Sequence, residues 1–156
     1  MRWIYFFGNF DGRISRKTFW LATLVLFVVE VLLATIADMT ASGLANEAAG
    51  DVAGDIVLLV FLYPQFVISV KRGHDRNIAT WVIVACYALV AVSDALNLLG
   101  LLETRMNLKV LSTANVFSFA VITIVGIVSL ALLIELGFRR GTPGPNRYGP
   151  DPLERK

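Results

Sequence analysis

Four apolar runs, each close to twenty residues long, constrain this chain more than any other feature. They lie at about Thr18–Asp38, Asp51–Val70, Ala79–Leu99 and Thr113–Gly137. About twenty apolar residues are what a helix needs to cross roughly 30 Å of hydrocarbon. The second run is the weakest: its uninterrupted part, Ile56–Val70, reaches only about 22 Å at helical rise, and completing it draws Asp55 toward the membrane interface. Composition agrees with the runs. The 156 residues are 56% hydrophobic and 17% charged, with mean hydropathy +0.69, too apolar for the surface of a water-soluble domain. The expected fold is therefore an all-α integral membrane bundle of four transmembrane helices, a single domain over residues 1–156, with a tail at 138–156.

Charge placement sets the orientation. With both termini on the cytoplasmic side, that side holds Arg2, Arg13, Arg16, Lys17, Lys71, Arg72, Arg76, Arg139, Arg140, Arg147, Arg155 and Lys156, and only Arg105 and Lys109 fall opposite. The excess of cations on one side is what the positive-inside rule demands of a cytoplasmic face. The loop "ADMTASGLANEAAGD" carries no basic residue, as expected of a translocated segment. The first run is too long for a signal-peptide core and no small-x-small site follows it closely, so it is expected to be a retained span. Asp11-Gly12 suits a turn, and Ser15 is placed to cap a helix starting at Arg16.

Before that cap, Trp3, Phe6, Phe7 and Phe10 stand at i, i+3, i+4 and i+7. The spacing predicts an amino-terminal amphipathic segment lying in the membrane interface, although Gly8 weakens a helix there. Within the spans, Glu30, Asp94 and Glu135 need explanation. An ionised carboxylate in hydrocarbon is costly, so Glu30 is expected to face the bundle interior, protonated or hydrogen-bonded. It is either a satisfied core acid or part of a proton or cation route, with Tyr63, Gln65, Tyr87, Ser118 and Thr123 as candidate neighbours. Pro64 removes one backbone donor from the second span.

The connection "SVKRGHDRN", residues 69–77, packs charges and the chain's single histidine between two apolar runs. Topology accounts for Lys71, Arg72 and Arg76, but not for His74 and Asp75. One histidine and one cysteine, Cys86, fall short of the three or four ligands of a metal site, so no metal and no cofactor are expected. No nucleophile motif accompanies the His-Asp pair, and sequence neighbours usually point apart. Asp75 is better placed to hold an arginine from another segment, and no catalytic residue is assigned.

"FDGRISRKTFW" at 10–20, "VKRGHD" at 70–75 after Pro64, Trp81, and "GTPGPNRYGPDP" at 141–152 together resemble the bacterial inner-membrane family of unknown function number 805. The matching positions are Gly12, Arg13, Arg16, Phe19 and Trp20; Arg72, His74 and Asp75; and Gly144, Asn146, Tyr148 and Gly149. The stretch "RNIATW" departs from the Gly-rich segment usual there. The resemblance implies a four-helix protein of the bacterial inner membrane and supplies no activity. Under the topology derived above, all three motif blocks lie on the cytoplasmic face, where Arg13, Arg16, Arg72, His74, Asp75, Asn146 and Tyr148 can meet. Docking of the Gly/Pro-rich cytoplasmic tail beneath the bundle is favoured by Tyr148, which can bury its ring and donate one hydrogen bond.

Two functions fit. In one, the cluster binds an anionic headgroup, a membrane phospholipid or isoprenoid phosphate, through Arg13, Arg16 and Arg72. In the other, the protein is a structural or accessory subunit with a membrane-protein partner or a second copy of itself, and the cluster is an internal polar clasp. An enzyme or an autonomous transporter is a weaker reading. Nucleic-acid binding is not expected, because topology already explains the basic residues.

Overall fold

The computed structural model describes residues 7–99, 101–102 and 113–154. Among the described residues four long helices follow in order: α1 (Arg16–Leu44), α2 (Glu47–Asp75), α3 (Thr80–Leu98) and α4 (Thr113–Gly137). Each is long and apolar enough to cross a membrane. Large apolar side chains face outward all round, among them Leu21, Leu24, Phe27, Leu32, Phe117, Ile127 and Leu130. In water such a surface would drive association; in hydrocarbon it is the ordinary outer face of a bundle.

The helix starts are set locally. Ser15 caps α1, its Oγ accepting the Thr18 N–H at 3.3 Å. Asn46 caps α2 through its Oδ1 and the Ala49 N–H at 2.9 Å. Each cap satisfies one of the amide groups that a first helical turn leaves without an intrahelical partner.

Two expected loops are helical instead. In "ADMTASGLANEAAGD", α1 runs to Leu44 and α2 resumes at Glu47, leaving a two-residue link. The reason is close packing: a Cβ on Gly50 would overlap Ser42 and Asp38, and Gly54 faces the Ala34 carbonyl. Small residues four apart let two helix backbones approach, as helices do in membranes. Likewise the connection "SVKRGHDRN" is helical over most of its length. Helix α2 continues through Lys71, Arg72, Gly73, His74 and Asp75, all buried, and the chain turns only at Arg76–Ala79, where Asn77 takes φ 57°. Asparagine tolerates this left-handed conformation better than most residues. The polar turn of α2 stays helical because other segments cover it.

Of the aromatic face expected at the amino terminus, Trp3 and Phe6 lie outside the described residues, as do the cations Arg2, Arg105, Lys109, Arg155 and Lys156. Phe7 packs on the core of Ile14, Phe19, Ile68 and Leu136. The Phe10 ring lies 5.5 Å from Phe66 and meets Tyr63 edge-on.

Candidate functional site

Helices α2 and α4 both end where α1 and α3 begin. Their carboxyl ends bring orphan carbonyls and the negative poles of two helix dipoles to one place. Cations are therefore favoured there, and the sequence supplies them from three separate segments.

Arg72 is fully buried on the last turn of α2. Its Nε donates to the Leu136 carbonyl at 2.7 Å, Nη2 to that of Arg139 at 2.6 Å, and Nη1 to that of Ile14 at 3.4 Å. Nη1 also pairs with Asp75, one helical turn away. The other carboxylate oxygen of Asp75 accepts from Arg13, at 3.1 Å from Nε and 2.9 Å from Nη2. The side chains of Arg13 and Asp75 are 1% and 4% exposed, so this triad is dry. Arg13 then reaches the tail: Nη2 donates to the Thr142 carbonyl at 2.6 Å, and Nη1 to those of Gly144 at 2.8 Å and Gly149 at 3.3 Å. All five of its N–H groups are thus directed at oxygens of the chain itself.

The tail binds in return. Thr142 caps α2, its N–H and Oγ1 both donating to the Asp75 carbonyl, at 2.8 and 3.0 Å. Asn146 Nδ2 donates to the His74 carbonyl at 2.9 Å. Residues 146–149 form a tight turn closed by reciprocal bonds between Asn146 and Gly149, each 3.0 Å. Gly144 (φ 70°) and Gly149 (φ 132°) adopt backbone conformations that side-chain-bearing residues disfavour, and these two turn their carbonyls to Arg13. A Cβ on Gly141 would run into the Asp75 carboxylate.

His74 and Asp75 point apart. The imidazole Nδ1 faces the Gly12 carbonyl at 3.3 Å, which can only accept, so in the neutral ring Nε2 is left to accept from Thr80 Oγ1 at 2.9 Å. The ring stacks flat on Tyr148, centroids 3.8 Å apart and planes 6° off parallel. Tyr148 donates its hydroxyl to the Ile78 carbonyl at 3.2 Å, and the Arg147 guanidinium lies over the Tyr148 ring, 4.7 Å from its centroid.

Six of the seven residues singled out at this end share one network: Arg13, Arg72, His74, Asp75, Asn146 and Tyr148. Arg16 stands beside it, exposed, with one bond to the Phe138 carbonyl at 3.2 Å. Glu30 is elsewhere, half-buried on α1, accepting from Gln65 Nε2 at 2.5 Å. The sequence reading missed several partners. Trp20 Nε1 caps the Gly137 carbonyl at 3.0 Å. Glu135 accepts from Arg76 at 2.7 Å and from Arg139 at 2.7 Å, and Arg76 also reaches the Arg140 carbonyl. Only the Glu135–Arg139 pair, four residues apart across the end of α4, had a local signal. No group of metal-ligating side chains occurs among the described residues.

The profile of the family described as "Protein of unknown function (DUF805)" matches residues 7–150. The chain is also 27% identical over 151 residues to "Uncharacterized protein YiiR" of Escherichia coli K12, covering 96% of this chain and 88% of that protein. The protein of that name from Escherichia coli O157:H7 matches to the same extent. No solved structure matches.

Proposed function

The chain belongs to the DUF805 family, and from that premise we propose that it is a structural or accessory protein of the bacterial inner membrane, both termini cytoplasmic, whose Arg13–Arg72–Asp75 cluster is an internal clasp. One observation carries this reading: the N–H groups of Arg13 and Arg72 are directed at the chain's own carbonyls and at Asp75. A phosphate at these two residues would have to displace oxygens that also terminate α2, α4 and the tail. The clasp joins the segment before α1, the end of α2, the end of α4 and residues 141–149, so four separate stretches hold one another. A scaffold so closed at one end leaves its apolar helix faces free for lipid, a second copy or a larger membrane assembly.

A double-mutant cycle on Arg13→Ala and Asp75→Ala, read as thermal melting in detergent, tests the clasp. Side chains in one polar network couple by about 0.5–3 kcal/mol. Melting points unchanged across Arg13, Arg72 and Asp75 substitutions would sink the proposal. Orientation is tested separately, by placing single cysteines at positions 151 and 47 in a Cys86→Ser background. Labelling of position 151 by an impermeant reagent added to intact spheroplasts would reverse it.

A further inference from the structure

We infer that a second, outward-facing site beside the clasp binds the phosphate of an anionic membrane phospholipid between Arg16 and Lys17. An open cleft of about 430 Å³ lies where α1 begins, walled by Ser15, Arg16, Lys17, Trp20, Phe138 and Leu153. Its cations differ in kind from those of the clasp. Arg13 and Arg72 share Asp75, and Arg76 and Arg139 share Glu135, whereas Arg16 and Lys17 have no carboxylate partner among the described residues. Arg16 spends one N–H on Phe138; Lys17 makes no hydrogen bond or ion pair among the described residues.

The remaining walls fit a lipid better than a free anion. The rings of Trp20 and Phe138 meet edge to face at 5.4 Å, both exposed, and exposed Leu153 also lines the cleft. Trp20 is four residues from Arg16, at the level where the apolar run of α1 starts, which is where amphipathic rings sit in a bilayer. Cations on the water side and rings on the hydrocarbon side are matched by a molecule with phosphate at one end and acyl chains at the other. Topology alone would call for the two cations, but not for a cleft formed with α4 and the tail. This inference does not depend on the clasp, since no residue of the triad lines the cleft.

The test is native mass spectrometry of the delipidated full-length protein titrated with phosphatidylglycerol or chain-matched phosphatidylcholine. Wild type is expected to fill one site with phosphatidylglycerol well before phosphatidylcholine. Arg16→Gln/Lys17→Gln is expected to lose roughly tenfold or more in affinity, as two surface cations supply to an anionic headgroup, while Arg140→Gln/Arg147→Gln keeps it. Lys17→Gln alone removes no described contact, so it keeps the test readable if the double variant misfolds, and unchanged affinity in it overturns the site. Equal binding of the two lipids, equal loss in both double variants, or displacement of the lipid by inorganic phosphate at matched concentration also overturns it.

Discussion

The two ends of the bundle solve the same problem in opposite ways. At the clasp end, helix carbonyls are closed by arginines, a tryptophan and a folded tail, and the triad's carboxylate and guanidinium groups are buried. At the other end lies an open cleft of about 710 Å³ whose lining, among the described residues, includes Asp38, Asp51, Asp55 and Asn97. Among its bonds are Ser42 with Asp38 at 3.2 Å and Asn97 with Asp55 at 2.8 Å. A buried ion pair is weak evidence of net stabilisation, because desolvation offsets its attraction, yet removing one partner leaves the other charge stranded and costs dearly. The clasp end should therefore be intolerant of losing a single charge, and the Asp55 carboxyl of the open cleft far more expendable.

The sharpest way to break that contrast is Asp75→Ala set against Asp55→Ala. Asp75→Ala strands two guanidiniums, and a loss of about 3–5 kcal/mol is expected, read as a large drop in melting temperature. Asp55→Ala removes one bond in an open cleft and should stay near the ±0.5 kcal/mol typical of surface changes. Similar losses at both positions would erase the distinction. Gly141→Ala comes next, since a methyl there collides with the Asp75 carboxylate. Overpacking of this kind costs about 1–3 kcal/mol, and the tail should become open to protease even where the helices stay folded.

What the sequence made legible follows from the range of each signal. The four spans were visible because apolar length is written continuously along the chain, and the Ser15 cap because capping acts over three residues. The bond between Asp75 and an arginine of another segment was legible as chemistry: a carboxylate among cations at a helix end seeks one of them. Which arginine it takes was not, because Arg13 and Asp75 meet only after α1 and α2 have paired. The end of α2 was misplaced for a physical reason. Hydropathy stops at Val70, but a helix stops where its hydrogen bonds do, and those of Lys71–Asp75 persist under cover of the tail and α4. Gly50 and Gly54 were there to be read as a close-packing signal. Trp20 on Gly137 and Gly141 against Asp75 are contacts through space with no local pattern.

Smaller effects sharpen the contrast by separating the tail from the helices. Tyr148→Leu removes the stack on His74 and the hydroxyl bond to Ile78. A loss of about 0.5–1.5 kcal/mol is expected for the aromatic pair, seen chiefly as faster proteolysis after Thr142. A fall in helix melting as large as that of Asp75→Ala would show that the tail, and not the triad, holds this end together.

The smallest expected effect is a pH dependence of tail docking. Asp151 accepts the Leu153 N–H at 2.9 Å and the Gly144 N–H at 3.1 Å. These bonds, with the nearby Arg13 charge, hold its carboxyl below the ordinary aspartate value, the Leu153 amide contributing most. A carboxyl whose pKa is lowered on folding contributes stability that is complete above its unfolded value, about 3.9, and is lost as pH falls through the folded one. Protease sensitivity of the tail should therefore stay flat from neutral pH down to about pH 5 and rise only below about pH 4. Asp151→Asn should lose part of that rise, since an amide keeps one acceptor but no charge. A rise that begins well above the aspartate range would instead move the pH-sensitive contact away from Asp151 and the tail's own turn.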